Sequence, residues 1–473
     1  MNTLQSKKYA FVLGRERDLC LAELRATLSR FGFCFNDFIL SDNVVLINLP
    51  ATRLSSPKSG QAGLDKDPAK LIDILGGTTK IFEIVEVGVI LNDVLGVKNL
   101  SSDDRILRKG AQDDKSSLRD SIKNLIIQRA EKTTGKFNFG FSAYGRHRAE
   151  SLNPLGLNIK KDLKGQLSLR FIALKEKELS TIVSSKNKLA TDGLEIGFFN
   201  DQIGILIAVT DPEAWSERDY GKPKGDKFSG MVPPKLARAM VNIALSTQYA
   251  VHSTQQNKRS VGLSTENCEL STPRVSLVVD PFCGSGNILM EALMLGCDVL
   301  GSDVSEKAVN DSKENVDWLE KQVASTEYRV PSHKIFQADA TSIDFTRNLE
   351  LGTRNCDGLV VVTEPYLGEP KKYLSSIRAV RGEYEKIKEL YLDFFRNLIT
   401  LRTLKTTVVL CLVFPLVETV EKIKFSLYSE SVDEIRKIGY TELANPLVYG
   451  RDYQIVKREI VLLNFKNRNP NVK

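Results

Sequence analysis

The stretch SLVVDPFCGSGNILMEALMLG at 276–296 constrains the fold more than any other part of the chain. It reads as an apolar strand, an acid at the strand's end, a turn rich in glycine and then a helix, the opening unit of a parallel, doubly wound α/β sheet. The alternation continues with strand 298–303, helix 305–321, strands 333–338 and 357–362, helix 383–402 and strand 406–414, behind a leading amphipathic helix at 233–246. Further strands are expected near 433–440 and 457–465, where late strands of such sheets pair antiparallel at one edge. The polar run 253–274 reads as a loop.

The preceding half has a different pattern. Strands Tyr9–Leu13 and Val44–Leu49 flank a helix at Asp18–Phe31, and a polar stretch at 51–68 follows. A second unit carries strands at 80–87, 137–143, 167–174 and 193–209 with helices near 68–75, 117–132 and 178–190. Residues 1–210 hold 31 Lys and Arg against 24 Asp and Glu, which is the whole of the net charge of +7. The window 105–190 alone has 19 against 8, a count that fits a surface neutralising phosphates and equally a solvated charged face.

Several classes are disfavoured. No apolar run of membrane-spanning length and no secretory leader are visible, so a cytoplasmic protein without membrane contact is expected. Seven scattered cysteines without a C-x-x-C pair argue against a disulfide framework or a thiolate zinc site. His147, His252 and His333 stand far apart and read as surface or packing residues, so no bound metal is expected.

The turn after the first strand has a specific use. Asp280 can reach a ligand's ammonium, Gly284 and Gly286 let backbone approach closely, and a helix starting near Asn287 offers free N–H groups to a carboxylate. The methionine part of S-adenosylmethionine has both groups. Leu289 stands where a dinucleotide fingerprint needs its third glycine, and no phosphate-loop Lys-Ser/Thr follows. Asp303 and Asp339, at the next two strand ends, are placed for ribose hydroxyls and an adenine amino group, though either can also cap the helix or turn that follows. Cys283, inside the turn, reads as a small packing residue.

The fourth strand ends in Thr363-Glu364-Pro365-Tyr366-Leu367-Gly368. Methyl transfer to an aromatic amino nitrogen needs an acceptor for its N–H groups and a surface for the base. Glu364 or the carbonyl beside Pro365 can accept, and Tyr366 can stack an extruded base. An ordinary strand-to-loop turn has the same residue pattern.

DPFCGSG at 280–286, PPKLARAMVNIA at 233–244 and TEPYLG at 363–368, with YAFVLGRERDLCLAEL, LGGTTKIFEI and LSLRFIALKEKELSTIVSSKNKL in the N-terminal half, resemble the THUMP-containing tRNA guanine-10 N2-methyltransferases of archaea and eukaryotes. The resemblance implies a ferredoxin-like domain at 1–78, a THUMP RNA-binding domain at 79–210 and a Rossmann-like class I methyltransferase domain at 211–473. It implies S-adenosyl-L-methionine as donor, tRNA as partner and substrate, and, as in eukaryotic members, a small zinc-binding activator subunit. Asp280, Phe282, Gly284, Gly286, Asp303 and Asp339 would hold the cofactor, under a helix carrying Lys235, Leu236 and Arg238. Thr363, Glu364, Pro365 and Tyr366 would form the catalytic corner, with Glu364 in place of the family's aspartate. A DNA adenine amino-methyltransferase and a non-catalytic tRNA-binding protein that keeps the fold are the alternatives.

Overall fold

The computed structural model describes residues 6–33, 38–50, 67–85, 110–225, 231–259, 276–323, 331–349, 358–403 and 408–465. Its N-terminal half contains β1 (Ser6–Leu13), α1 (Arg17–Arg30), β2 (Phe38–Ser41), β3 (Val44–Pro50), α2 (Leu71–Ile74), β4 (Thr78–Val85), α3 (Gly110–Ala130), β5 (Phe137–Tyr144), α4 (Ala149–Asp162), β6 (Leu169–Ile172), α5 (Thr181–Lys186), β7 (Leu194–Phe199) and β8 (Gln202–Val209). These strands form one sheet in the order β2-β3-β1-β4-β8-β7-β5-β6. Period-two alternation covers both of its faces. Along β1, Tyr9, Phe11 and Leu13 pack with Leu24 and Leu28 of α1, while Ala10 and Val12 face the core built on Phe139 and Phe141. Because β4 pairs antiparallel with both β1 and β8, hydrogen bonding runs unbroken past residue 78.

The C-terminal half contains α6 (Pro212–Ser216), α7 (Pro234–Arg259), β9 (Leu277–Asp280), α8 (Asn287–Met294), β10 (Asp298–Asp303), α9 (Glu306–Val323), β11 (His333–Gln337), α10 (Phe345–Leu349), β12 (Leu359–Thr363), α11 (Ile377–Leu398), β13 (Val408–Glu418), β14 (Lys424–Ser426), α12 (Leu427–Ile438), β15 (Tyr440–Glu442), β16 (Leu447–Tyr449) and β17 (Val456–Phe465). The sheet order β11-β10-β9-β12-β13-β17-β15 makes it the Rossmann-like α/β fold expected, parallel from β11 to β13 and closed by antiparallel β17. Val409, Cys411 and Val413 of β13 lie in the core shared with α7 and α8, whereas Leu410, Leu412 and Phe414 lie in the core shared with α11. Among the described residues no helix is long and apolar enough to cross a membrane.

Several elements depart from the sequence expectation. The strand expected at 433–440 is helix α12 followed by the short β15. Ser426 caps α12 by accepting from Ser429 N, Gly439 ends it at φ +129°, and Leu427, Ser431 and Ile435 recur every four residues on its buried side. Helix α4 went unread because Pro154 lies inside it, and the run 193–209 is two strands joined at Asn200, whose φ is +49°. Helix α7 runs on to Arg259, so the first residues of the expected 253–274 loop are helical, while 260–275 lie outside the described residues.

The two halves meet through buried polar groups. Glu23 of α1, with no exposed surface, accepts from Gly76 N and Gly77 N at 2.7 Å each and from Asn242 Nδ2 of α7 at 2.7 Å. A Cβ on Gly76 would lie 2.5 Å from Lys235 O, so only glycine lets α7 approach this turn. Arg238 of α7 donates to Asp73 O at 2.7 Å and to the buried Glu291 of α8, which also receives Arg218. Replacing Glu23 by Ala leaves the Gly76 and Gly77 N–H groups without partners and leaves Asn242 Nδ2 with only Ile74 O, at 2.9 Å. The expected cost is about 3 kcal/mol of unfolding free energy in urea titration, against less than about 0.5 kcal/mol for the exposed Glu131→Ala.

Candidate functional site

The carboxyl ends of β9, β10 and β12 converge where the sheet reverses its winding. Asp280 ends β9 and is 1% exposed. Its Oδ1 accepts from Thr363 Oγ1 at 2.5 Å, across the β9–β12 pairing, and from Phe282 N at 3.3 Å. None of these donors is a cation. Burial, reinforced by the nearby Asp303 and Glu364, pushes the Asp280 carboxyl up to about 7 against the pull of its two hydrogen bonds.

The turn beyond Asp280 is shaped by its glycines. Gly284 sits at φ +51° and a Cβ there would meet nothing within 4 Å, so its left-handed backbone rather than crowding calls for glycine, and space lies open above it. Gly286, at φ +83°, is the N-cap of α8, where a Cβ would lie 2.5 Å from Ser312 Oγ. No side chain caps α8, so its first N–H groups point outward. Gly284 N donates to Asp303 Oδ2 at 3.0 Å while Ser305 N donates to Asp303 Oδ1 at 2.9 Å, so Asp303 ties the glycine turn to the end of β10, and Ser305 caps α9 by accepting from Ala308 N at 3.3 Å. Phe282 packs edge-to-face on Phe394 at 5.2 Å. Asp339, two residues past its strand and exposed, uses Oδ1 to hold Thr341 N and Oγ1 at 2.8 and 2.7 Å.

At the end of β12 the arrangement differs from the simplest expectation. Both Glu364 oxygens are taken by Arg458 of β17, Nε to Oε2 at 2.5 Å and Nη2 to Oε1 at 3.0 Å, with both side chains about one-tenth exposed. Burial raises the Glu364 carboxyl and Arg458 pulls it back down. Pro365 is buried, and Tyr366 stands 48% exposed with its hydroxyl on Glu369 at 2.8 Å. Gly368 turns the chain at φ +94° under Tyr384, which donates to Leu367 O.

Asp280, Phe282, Gly284, Gly286, Asp303 and the Thr363–Tyr366 corner are thus brought together, with Asp339 one strand end further along. Lys235 is not among them. It lies 5.5 Å over the Trp215 ring, in a cluster with Arg218 and Arg238, and Leu236 and Arg238 are buried at the junction of the two halves. Residues the sequence did not single out complete the site. Buried Lys222 bonds Asn287 Oδ1 at the start of α8, and burial pushes its ammonium down to about 8. Asn315 holds Lys224 O and Ser285 O at 2.8 Å each, and Asn287 Nδ2 holds Val232 O at 2.6 Å, so the segments around 222–224 and 231–233 strap the glycine turn. Lys222 and Lys224 lie outside any periodic element, Asn287 and Asn315 are single polar positions on helices, and Arg458 lies 94 residues from its partner.

The remaining expected residues are placed as follows. The buried Cys283 thiol is raised by desolvation, which opposes a nucleophilic role. His147 is buried with Nε2 on Asn200 O, and the side chain of His252 lies outside the described residues. His333 has carboxylate company that spacing did not reveal, since one ligand atom each of Asp317, Glu320 and His333 lie within 4.8 Å of one another.

Losing Arg458 would strand a buried anion. Arg458→Ala is expected to lower stability by about 3 kcal/mol, whereas adding Glu364→Gln to it recovers much of the loss, as a urea double-mutant cycle would show.

No family model matches the chain. Over 167 residues it is 25% identical to the tRNA (guanine(10)-N2)-dimethyltransferase of Methanothermobacter thermautotrophicus, covering 35% of this chain and 34% of that one. The proteins of the same name from Methanocaldococcus jannaschii and Pyrococcus abyssi are 28% identical over 34% of this chain and 33% of theirs, and 27% identical over 27% and 28%. The chain therefore spans about a third of the length of the curated relatives it matches. Among solved structures, the magnesium protoporphyrin IX methyltransferase of Synechocystis with bound SAH is 13% identical, covering 54% of this chain and 93% of that chain at a TM-score of 0.27. The AdoMet complex of M. jannaschii TYW2 is 16% identical over 45% and 75%, at a TM-score of 0.25.

Proposed function

We propose that the chain is an S-adenosylmethionine-dependent methyltransferase acting on an exocyclic amino group of a tRNA base, guanine N2 at position 10, in the cytoplasm. The observation that carries this reading is the buried Asp280, which has no cationic partner among the described residues, set beside an open left-handed glycine turn and an uncapped helix start. A zwitterionic amino acid matches that pair of needs. The similarity to tRNA (guanine(10)-N2)-dimethyltransferases supports the nucleic-acid side.

When bound, S-adenosylmethionine supplies a methyl group on a positively charged sulfur. The chain's own residues position the two reactants. Asp280 takes the donor's ammonium, and the first N–H groups of α8 take its carboxylate. Asp303 and Asp339 receive ribose hydroxyls and the adenine amino group. With both Glu364 oxygens turned to Arg458, the carbonyl preceding Pro365 serves as the acceptor for the base's N–H alongside the remaining lone pairs of Glu364. Glu364 then fixes the corner, and the exposed ring of Tyr366 stacks the base. Residues 1–78 and 79–210 act as the ferredoxin-like and THUMP units that hold tRNA, and 211–473 as the catalytic unit, coupled through the sheet and interface described above.

Labelled methyl groups from S-adenosylmethionine should appear in a tRNA transcript. Transfer to DNA instead would establish the adenine reading, and tight tRNA binding without turnover the binding-only one. Tyr366→Ala should lower kcat/KM about ten- to hundredfold while leaving donor affinity intact, the worth of one stacked base. The pH dependence has a definite sign. A ligand ammonium binds ionised Asp280, so below about 7 a proton must leave first, and affinity falls with pH. Calorimetry with S-adenosylhomocysteine is expected to show about tenfold weaker binding at pH 6 than at pH 8, and Asp280→Asn should flatten the difference.

A further inference from the structure

A cavity of about 370 Å³ opens in the N-terminal half, at the leading ends of the parallel strands β5 and β7. Lys132 and Lys136 enter it from the loop between α3 and β5, Lys186 and Lys188 from the end of α5, and Thr134, Asn138 and Asp192 are among its other polar lining residues. Lys132, Lys136 and Lys186 are exposed and form no ion pair among the described residues. Lys188 pairs with Asp192 at 3.3 Å.

Two explanations compete for so much positive charge. Lysines favour helix C-termini, and α3 and α5 both end here, each presenting about half a negative charge. With Asp192 that makes about −2 against four lysines, so about two positive charges remain beyond what capping needs. The backbone adds an independent observation. Lys188 sits at φ +50°, a conformation that glycine or asparagine adopts at far less strain, and its carbonyl receives the N–H groups of Thr191, Asp192 and Gly193. A lysine kept at such a position implies a use for its side chain.

We propose that this cavity is a phosphate-binding pocket that grips the backbone of the RNA substrate, an inference that rests on the tRNA reading above. Phosphate oxygens accept from the lysine ammonium groups and from Asn138 and Thr134 at the pocket wall. These interactions set the register of the RNA and carry no base specificity.

The test compares Lys132→Ala/Lys136→Ala/Lys186→Ala with Lys160→Ala/Lys161→Ala/Lys164→Ala, a triple of equal charge change on the exposed surface of α4 and its end. In full-length protein the pocket triple should weaken tRNA affinity at least about tenfold. It should also flatten the slope of log affinity against log salt by about 0.9 for each phosphate that is no longer neutralised. The control triple should do neither, and both should bind S-adenosylhomocysteine as the parent does. Lys188→Gly should also weaken tRNA binding while melting no lower than the parent, because the strain goes with the charge. A pocket triple indistinguishable from the control overturns the inference, as does Lys188→Gly with parental tRNA affinity. Saturable binding of inorganic phosphate that the pocket triple abolishes without touching tRNA affinity also overturns it, and reassigns the pocket to a small phosphorylated ligand. If the parent takes up no S-adenosylhomocysteine, the methyltransferase reading fails, and the salt slopes still decide the pocket by themselves.

Discussion

The sheet reverses its winding at β9, and that constraint fixes where a ligand can lie. With β10 and β11 to one side and β12 and β13 to the other, the connecting helices leave from opposite faces and none can cover the crevice above Asp280. The acid at that point is taken out of water by apolar strands on both sides, and its partners are a threonine hydroxyl and a backbone N–H. A carboxyl held this way is poised between its two protonation states near neutrality, and a ligand cation decides the balance. Local strain at Gly284 and Gly286 is tolerated because these residues have no side chain to oppose it.

The helix whose uncapped N-terminus follows the glycine turn also anchors the junction between the halves. Glu291 lies on α8 and binds Arg218 and Arg238, and Arg238 reaches the carbonyl of Asp73 in the N-terminal half. Glu23 closes the same junction from the other side. Buried charged hydrogen bonds are directional, so they hold one relative placement of the halves more strictly than apolar contact alone would. The N-terminal half is thereby set at a defined distance from the crevice above Asp280, and a change at Arg238 reaches both halves.

Much of this was readable in the residues. Apolar runs bounded by Gly and Asp located β9, β10 and β12, and the motif after β9 located the turn, because both depend on local pattern. What escaped depended on distant partners or on patterns that mimic others. Helix α12 was read as a strand since its buried residues are interleaved with polar ones over a short span, and α4 was hidden by Pro154. The family resemblance put Lys235 in the site, but its helix faces Trp215 and the turn at Gly76. The acid at 364 was recognised, while its engagement by Arg458 was beyond any local signal. The shared sheet of the N-terminal half was likewise invisible, because pairing on both edges of β4 is a property of topology alone.

The Arg458–Glu364 pair has a temporal side. The two residues are 94 apart in sequence, and Arg458 belongs to β17, the strand inserted beside β13. At translation rates of roughly 5–20 residues per second, the acid is synthesised on the order of ten seconds before its cation. During that interval the corner after β12 holds a carboxylate with no counter-ion, which favours keeping it hydrated and the crevice loose. The Glu364 corner can therefore take its final form only after β17 has been made and has paired with β13.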